Sequence, residues 1–357
     1  MPSRYLNARY RGVTPYVPGE QPRDRTYVKL NANETSVPPS PAVRAALDDA
    51  LVDGLGRYAD PHCTALREAV ARALDLGAHG LDASCVFCGN GSDEVLGLLF
   101  LTCLGEGAPL CFPDVTYGFY RDYAGTFGVP ARQVPLRADL SLDVDAFAAA
   151  PENVVFPNPN APTGLAVGPA DVERIAAADR SRLVIVDEAY VDYGAATCVP
   201  LVASNPNLVV VHTMSKSYNL AGAHVGWCVC APDLAADLAD VKFSLNPFNL
   251  SAPTMAIAIA ALGDRSYHDA CVSAVISERA RTTDELVARG FTVLPSLGNF
   301  VFATHPALDA VSWNAGLRER GVLCRHFDAP RTRDWLRVTI GTRDEMDAFL
   351  SATDELL

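Results

Sequence analysis

Short apolar runs bounded by turn-forming residues punctuate the first two thirds of the chain: Cys85–Cys88, Ala108–Phe112, Ala131–Val134, Asn153–Phe156, Leu183–Val186, Leu208–His212 and Val225–Cys230. Longer stretches with apolar residues at helical spacing lie between them. Runs this short and this uniformly apolar predict strands covered on both faces. Their alternation with helices predicts an α/β fold with a mainly parallel sheet flanked by helices. Ser40 followed by Pro41 predicts a helix start, with the serine as N-cap, and that helix is expected to run to Leu55. A second is expected from about Thr64 to Leu76.

From about Tyr267 the order changes. A long helix to about Arg289 precedes shorter strands around Phe291–Leu294, Phe300–Thr304, Val322–Arg325 and Trp335–Thr339, the pattern of a smaller α+β unit. The segment Thr14-Pro15-Tyr16-Val17-Pro18-Gly19 is rich in turn formers and should be irregular. At 357 residues the chain is too long for one ordinary core. The expected division is an N-terminal arm over 1–40 that joins the small domain, a large domain over 41–262, and a small C-terminal domain over 263–357.

Composition narrows the function classes. With 29 basic and 42 acidic residues the net charge is −13, which argues against nucleic acid as the main partner. No stretch of about 18 residues is apolar enough to span a bilayer, and Met1-Pro2-Ser3-Arg4-Tyr5 has no apolar signal core. The expectation is a soluble, cytoplasmic protein with no membrane partner. Of the ten cysteines, Cys85 and Cys88, and Cys228 and Cys230, are spaced like metal or redox pairs. Both pairs sit in apolar strand-like segments, so they are read as buried structural thiols, and no metal is expected.

The candidate chemistry gathers at predicted strand ends, where open α/β sheets bind ligands. Lys216, in Thr213-Met214-Ser215-Lys216-Ser217-Tyr218, follows the run Leu208–His212 among small and hydroxylated residues. That is a poor place for a solvated charge and a good one for an amine that forms an imine with an aldehyde. Gly89-Asn90-Gly91-Ser92-Asp93-Glu94 follows a strand and opens a helix, so free backbone N–H groups there suit a phosphate. Pro157-Asn158-Pro159-Asn160-Ala161-Pro162-Thr163-Gly164 makes a rigid loop able to hold a side-chain amide. Asp187 ends a wholly apolar strand and suits a cationic ring nitrogen. Tyr117 offers an aromatic face. A dinucleotide-dependent oxidoreductase would need a third spaced glycine after Gly89-Asn90-Gly91 and a ribose-binding acid, and it leaves Lys216 unexplained.

Together these motifs resemble the fold-type-I enzymes of pyridoxal 5′-phosphate, and most closely the histidinol-phosphate aminotransferases. The likeness runs from Lys29-Leu30-Asn31-Ala32-Asn33-Glu34 and Tyr58-Ala59-Asp60-Pro61 to Leu336-Arg337-Val338-Thr339-Ile340-Gly341. It implies a transaminase exchanging an amino group between L-histidinol phosphate, or a related amine, and 2-oxoglutarate or glutamate. Aromatic aminotransferases and phosphothreonine decarboxylases share the same motifs, so the alternatives are an aromatic or specialised-pathway amino acid aminotransferase, or a decarboxylase or cyclase of a (phospho)amino acid.

The resemblance also implies residue roles. Lys216 holds the cofactor and moves the substrate proton, Asp187 pairs with the ring nitrogen, and Asn160 and Tyr190 bind the ring oxygen. Tyr117 stacks on the ring. Gly91, Ser92, Asp93, Ser215 and Ser217 cradle the phosphate, joined by Tyr58 from the neighbouring subunit of a homodimer with shared sites. Arg337 and Arg325 clamp the substrate anion, with Asn33 and the arm residue Tyr16 beside the substrate.

One position departs from the family. Leu220-Ala221-Gly222-Ala223-His224 carries a histidine where these enzymes have an arginine on the cofactor phosphate. Histidine donates one hydrogen bond when neutral and two when charged, so cofactor retention is expected to be weaker and more pH-dependent. Asn246 and Phe248, in Val241-Lys242-Phe243-Ser244-Leu245-Asn246-Pro247-Phe248-Asn249, are expected near the substrate pocket.

Overall fold

The computed structural model describes residues 3–7, 10 and 19–357. Its main sheet has seven strands, in the spatial order Val86–Asn90, Val225–Val229, Leu208–Thr213, Val184–Asp187, Asn153–Pro157, Leu110–Pro113 and Ala131–Val134. Every neighbouring pair is parallel except the two made by Val225–Val229, which runs against both its neighbours. The expected α/β architecture is the observed one.

Apolar runs without alternation have a simple cause. Successive strand side chains point to opposite faces, and each face here has its own core. Leu208 and Val210 enter one core with Val184, Val186, Val154 and Phe156. Val209 and Val211 enter the other with Ile185 and Val155. Each such side chain, fully buried, is worth roughly 1.5–3 kcal/mol. Asp187 and Thr213 are the last residues of their strands and so stand at one edge of the sheet. Cys85, Cys88, Cys228 and Cys230 are buried in the same two cores, as expected of structural thiols.

A second, four-stranded antiparallel sheet has the order Arg325–His326, Leu336–Thr339, Phe300–Thr304 and Thr292–Val293. The helix Arg265–Ala288 leads into it, close to the expected bounds. Its buried Arg279 donates to the carbonyls of Tyr193 (3.0 Å) and Gly298 (2.6 Å), tying the end of the main sheet to the small one.

Three expectations need correction. The helix from Pro41 to Leu55 is broken into Pro41–Ala45 and Asp49–Asp53, because Asp48 caps a new start by accepting from the Leu51 N–H at 2.8 Å. Ser40 does cap the first piece. The helix from Thr64 ends at Ala73, and Asp75 at φ 49° lies in the left-handed region. The single strand Val322–Arg325 is two: Val322–Leu323 pairs in parallel with Val28–Lys29, and Arg325–His326 pairs with Leu336–Thr339. The Val28–Lys29 pairing brings Asn31 and Asn33 to the site. Of the arm segment 14–19, only Gly19 lies within the described residues.

Candidate active site

Asp187 is the last residue of its strand and is 4% exposed. Its Oδ2 accepts from the Tyr120 hydroxyl at 2.9 Å and its Oδ1 from the Ala189 N–H at 3.1 Å. Burial pushes its pKa up to about 6, and the Tyr120 hydrogen bond only partly opposes this. A carboxyl held this way waits for a cation. Tyr120 was not singled out in the sequence. It lies with Ala124 on the buried stripe of the helix Phe119–Phe127, and a phenol in such a stripe must find a partner. That requirement is visible in the sequence, although the identity of the partner, 67 residues away, is not.

Lys216 stands just past the strand Leu208–Thr213, with its Nζ 5.8 Å from the centroid of the Tyr190 ring. The Tyr190 hydroxyl accepts from Asn33 Nδ2 at 2.9 Å. Asn33, at φ 53°, is itself held by Thr339, whose hydroxyl donates to Asn33 Oδ1 and accepts from the Asn33 N–H, both at 3.0 Å. Thus the strand Leu336–Thr339 of the small sheet fixes a tyrosine beside the lysine. Ser92, Asp93, Tyr117, Asp187, Tyr190, Ser215, Lys216 and His224 line one cleft of about 230 Å³. The sequence reading proposed all eight.

At the end of the cleft opposite the small sheet, Gly91 (φ 74°) opens the helix Gly91–Cys103. The backbone is crowded there. A Cβ on Gly226 would lie 2.4 Å from Ser92 N, and one on Gly91 would lie 2.7 Å from His224 Nε2. The histidine therefore packs directly on the turn at Gly91. Thr213 Oγ1 donates to Ser215 Oγ at 3.0 Å beside it. Gly226→Ala is expected to lower stability by about 1–3 kcal/mol, because backbone rather than a side-chain tip must move. Denaturant unfolding checks this, and a change under 0.5 kcal/mol would contradict the packing argument.

Asn160 is buried at the edge of the cleft. Its Nδ2 donates to the Val115 carbonyl and to Thr163 Oγ1, both at 3.1 Å, while its Oδ1 has no hydrogen-bond partner among the described residues. Tyr117 donates from its hydroxyl to Asp93 Oδ1 at 3.0 Å. Ser217 gives its hydroxyl to Asp192 at 2.5 Å and is committed there.

Arg325 and Arg337 stand on the small sheet and face each other directly across two antiparallel strands. Arg337 donates to the Asn31 carbonyl at 3.2 Å. Tyr58 is 83% exposed and stacks on Phe248 with centroids 4.3 Å apart. Phe248 is thus grouped with Tyr58 rather than with the cleft, and Asn246 borders a second hollow on the far side of His224. Tyr16 lies outside the described residues.

The model of the family described as aminotransferase class I and II matches residues 25–352. The chain belongs to that family. It is 47% identical over 358 residues to the histidinol-phosphate aminotransferase 2 of Burkholderia lata, covering 99% of both chains. It is 44% identical over 355 residues to the histidinol-phosphate aminotransferase of Gluconacetobacter diazotrophicus, covering 99% of this chain and 98% of the other. Among solved structures, it is similar to the histidinol-phosphate aminotransferase of Sinorhizobium meliloti in complex with pyridoxal 5′-phosphate. That match has a TM-score of 0.82 and 27% identity over 93% of this chain and 91% of that one.

The protein is therefore a transaminase that uses pyridoxal 5′-phosphate. Its own residues fit that group: a buried carboxyl with no ion pair among the described residues, a lysine at the cleft wall, a backbone turn with no room for side chains, and an amide oxygen on Asn160 with no hydrogen-bond partner among the described residues.

Proposed function

We propose that this aminotransferase takes L-histidinol phosphate as amino donor and 2-oxoglutarate as acceptor, and that it works as a homodimer with shared sites. The observation that carries the substrate is the in-register pair Arg325 and Arg337, alongside full-length relatives named for that substrate. A planar guanidinium pair suits a phosphate dianion and, in the second half of the cycle, the carboxylate of a 2-oxo acid.

When bound, the cofactor supplies an aldehyde for Lys216 and a conjugated ring that accepts an electron pair from the substrate Cα. The protein does the rest. The Lys216 nitrogen would take the proton from the substrate Cα and return it to the former aldehyde carbon of the cofactor, on the far side of the shared nitrogen. Asp187, charged once a cation meets it, keeps the ring nitrogen protonated. Tyr190 and Asn160 hold the ring oxygen, and Tyr117 covers the ring. The helix start at Gly91, with Ser92, Asp93, Ser215 and His224, holds the cofactor phosphate.

Support for the dimer is the set of exposed apolar residues Leu47, Val52, Leu55, Tyr58, Leu245 and Phe248. In this reading Tyr58 serves the other subunit's phosphate site and Tyr16 its substrate, as the family resemblance implies. The arm over 1–40, the large domain over 41–262 and the small domain over 263–357 are the proposed units. Ten cysteines without a disulfide support a reducing, cytoplasmic setting. No helix among the described residues is long and apolar enough to cross a membrane.

The test compares L-histidinol phosphate with unphosphorylated L-histidinol. The wild type is expected to prefer the phosphorylated amine about 100-fold in kcat/KM, and Arg337→Gln to lose most of that preference. Equal preference in both proteins rejects the assignment. At the other end of the cleft, His224→Arg is expected to hold cofactor tightly from pH 6 to 9, while wild-type retention changes with pH. Equilibrium dialysis decides, and parallel curves would refute the role given to His224.

A further inference from the structure

Below the lysine lies a polar cluster that the reaction as described does not use. Ser217, 3% exposed and next to Lys216, donates its hydroxyl to Asp192 Oδ2 at 2.5 Å. Asp192 sits in the turn Val191–Tyr193, two residues after Tyr190. A closed circuit results: Lys216 to Ser217, across to Asp192, back along the chain to Tyr190, whose ring faces the lysine amine. The turn carrying the lysine and the turn carrying the tyrosine are thus pinned by one hydrogen bond.

A third element joins them. His268, 6% exposed, projects from the helix Arg265–Ala288 and puts its Nε2 3.6 Å from Asp192 Oδ2, while its Nδ1 is 3.1 Å from Asp269 Oδ1. At 3.6 Å the Asp192 contact is Coulombic rather than a hydrogen bond, and Nε2 has no hydrogen-bond partner among the described residues. The Tyr218 ring lies against the imidazole with centroids 4.3 Å apart. Asn219, in the same turn as the lysine, reaches Cys271 on that helix at 3.4 Å. Nothing in substrate or cofactor chemistry requires a buried histidine here. Its position, on the helix that leads into the small sheet, is what distinguishes it.

We propose that Asp192 and His268 are positioning residues, which hold Lys216 in its working orientation and couple that orientation to the helix Arg265–Ala288. The inference rests on the cofactor assignment and is independent of which amine is the substrate. The charged groups facing His268 are Asp192 from the tyrosine turn and Asp269 and Arg265 from its own helix; His212, from the strand Leu208–Thr213, adds to the field on Asp192. Burial opposes protonation of His268, but the two carboxylates prevail and hold its pKa above the ordinary histidine value. Below that elevated value the imidazolium attracts both acids. That attraction is lost as pH rises through the elevated value.

The experiment uses the holoenzyme. Visible circular dichroism of the bound cofactor is recorded from pH 6 to 9 for wild type, Ser217→Ala, Asp192→Asn, His268→Asn and His268→Gln, with kcat and KM alongside. Ser217→Ala and Asp192→Asn are expected to at least halve the signal per bound cofactor. They should lower kcat about tenfold with KM within twofold, since a lysine displaced by a fraction of an ångström still binds but transfers protons poorly. The wild-type signal should fall in a step on the alkaline side that His268→Asn lacks, and His268→Gln should recover part of kcat at neutral pH. If the variants lose only thermal stability and keep wild-type dichroism and kcat, the cluster is merely structural and the proposal is overturned. Should the wild type fail to turn over L-histidinol phosphate, the substrate reading fails, and the dichroism still decides this one.

Discussion

Lys216→Ala is expected to abolish turnover, lowering kcat by about 10⁴-fold or more, because in the proposed mechanism one nitrogen both captures the cofactor and moves the Cα proton. The loss should be chemical rather than structural. Among the described residues the Lys216 amine donates no hydrogen bond, and it stands 5.8 Å from the centroid of the Tyr190 ring. Thermal stability of the cofactor-free variant should therefore stay within a few degrees of wild type. Borohydride treatment, which fixes an imine irreversibly, should leave the cofactor attached to wild type and removable from the variant. Cofactor still fixed to the variant would place the reactive amine elsewhere, and Lys242 would be the next candidate, its pKa lowered chiefly by burial.

Asp187→Asn should separate stability from function. The carboxyl is buried and its pKa rises from 3.8 to about 6. A raised acid pKa means the folded state binds the proton more tightly than the unfolded one. The folded form is therefore at no disadvantage below about pH 4. It is progressively penalised between pH 4 and 6, and it carries the full penalty above that. The penalty is on the order of 3 kcal/mol at neutral pH. Asparagine cannot ionise, yet its oxygen can still accept from Tyr120. The cofactor-free variant is thus expected to be more stable than cofactor-free wild type at pH 7.5 and no more stable at pH 4. Activity should fall about a thousandfold, since nothing then holds the ring nitrogen protonated. Chemical denaturation at the two pH values, with kcat measured alongside, checks both halves. A variant less stable at pH 7.5 would refute the buried-charge account.

The main sheet was legible because its strands are covered on both faces, which leaves unbroken apolar runs such as Leu208-Val209-Val210-Val211. The small sheet was harder. Val28–Lys29 is a strand only because Val322–Leu323 lies beside it, and no local pattern in two residues carries that information. The broken helix after Pro41 shows the same limit, since a helical pattern continues through Asp48 although its side chain starts a new turn.

Within the site, residues whose type is odd for their local context stood out: a lysine and an aspartate ending apolar strands, and glycines at a strand–helix junction. Residues defined by a distant partner did not. Tyr120 matters through Asp187 and His268 through Asp192, whereas Asn33 is expected from the resemblance and only its bond to Tyr190 belongs to the fold. Ser217 shows the converse, its hydroxyl facing a carboxylate that sequence proximity to Lys216 did not suggest. The arginine pair was named from resemblance, but its register, which gives the charge its meaning, belongs to the fold.

The most direct measurement is a single half-reaction followed by absorbance. The cofactor-loaded protein is mixed with L-histidinol phosphate without any 2-oxo acid, and in parallel with L-phenylalanine and O-phospho-L-threonine. Stoichiometric loss of the cofactor's aldehyde form, with its amine form growing in fastest on L-histidinol phosphate, is the predicted result. Release of carbon dioxide from the phosphothreonine sample, or conversion confined to the aromatic amine, would contradict it and move the chain to a different reaction on the same scaffold.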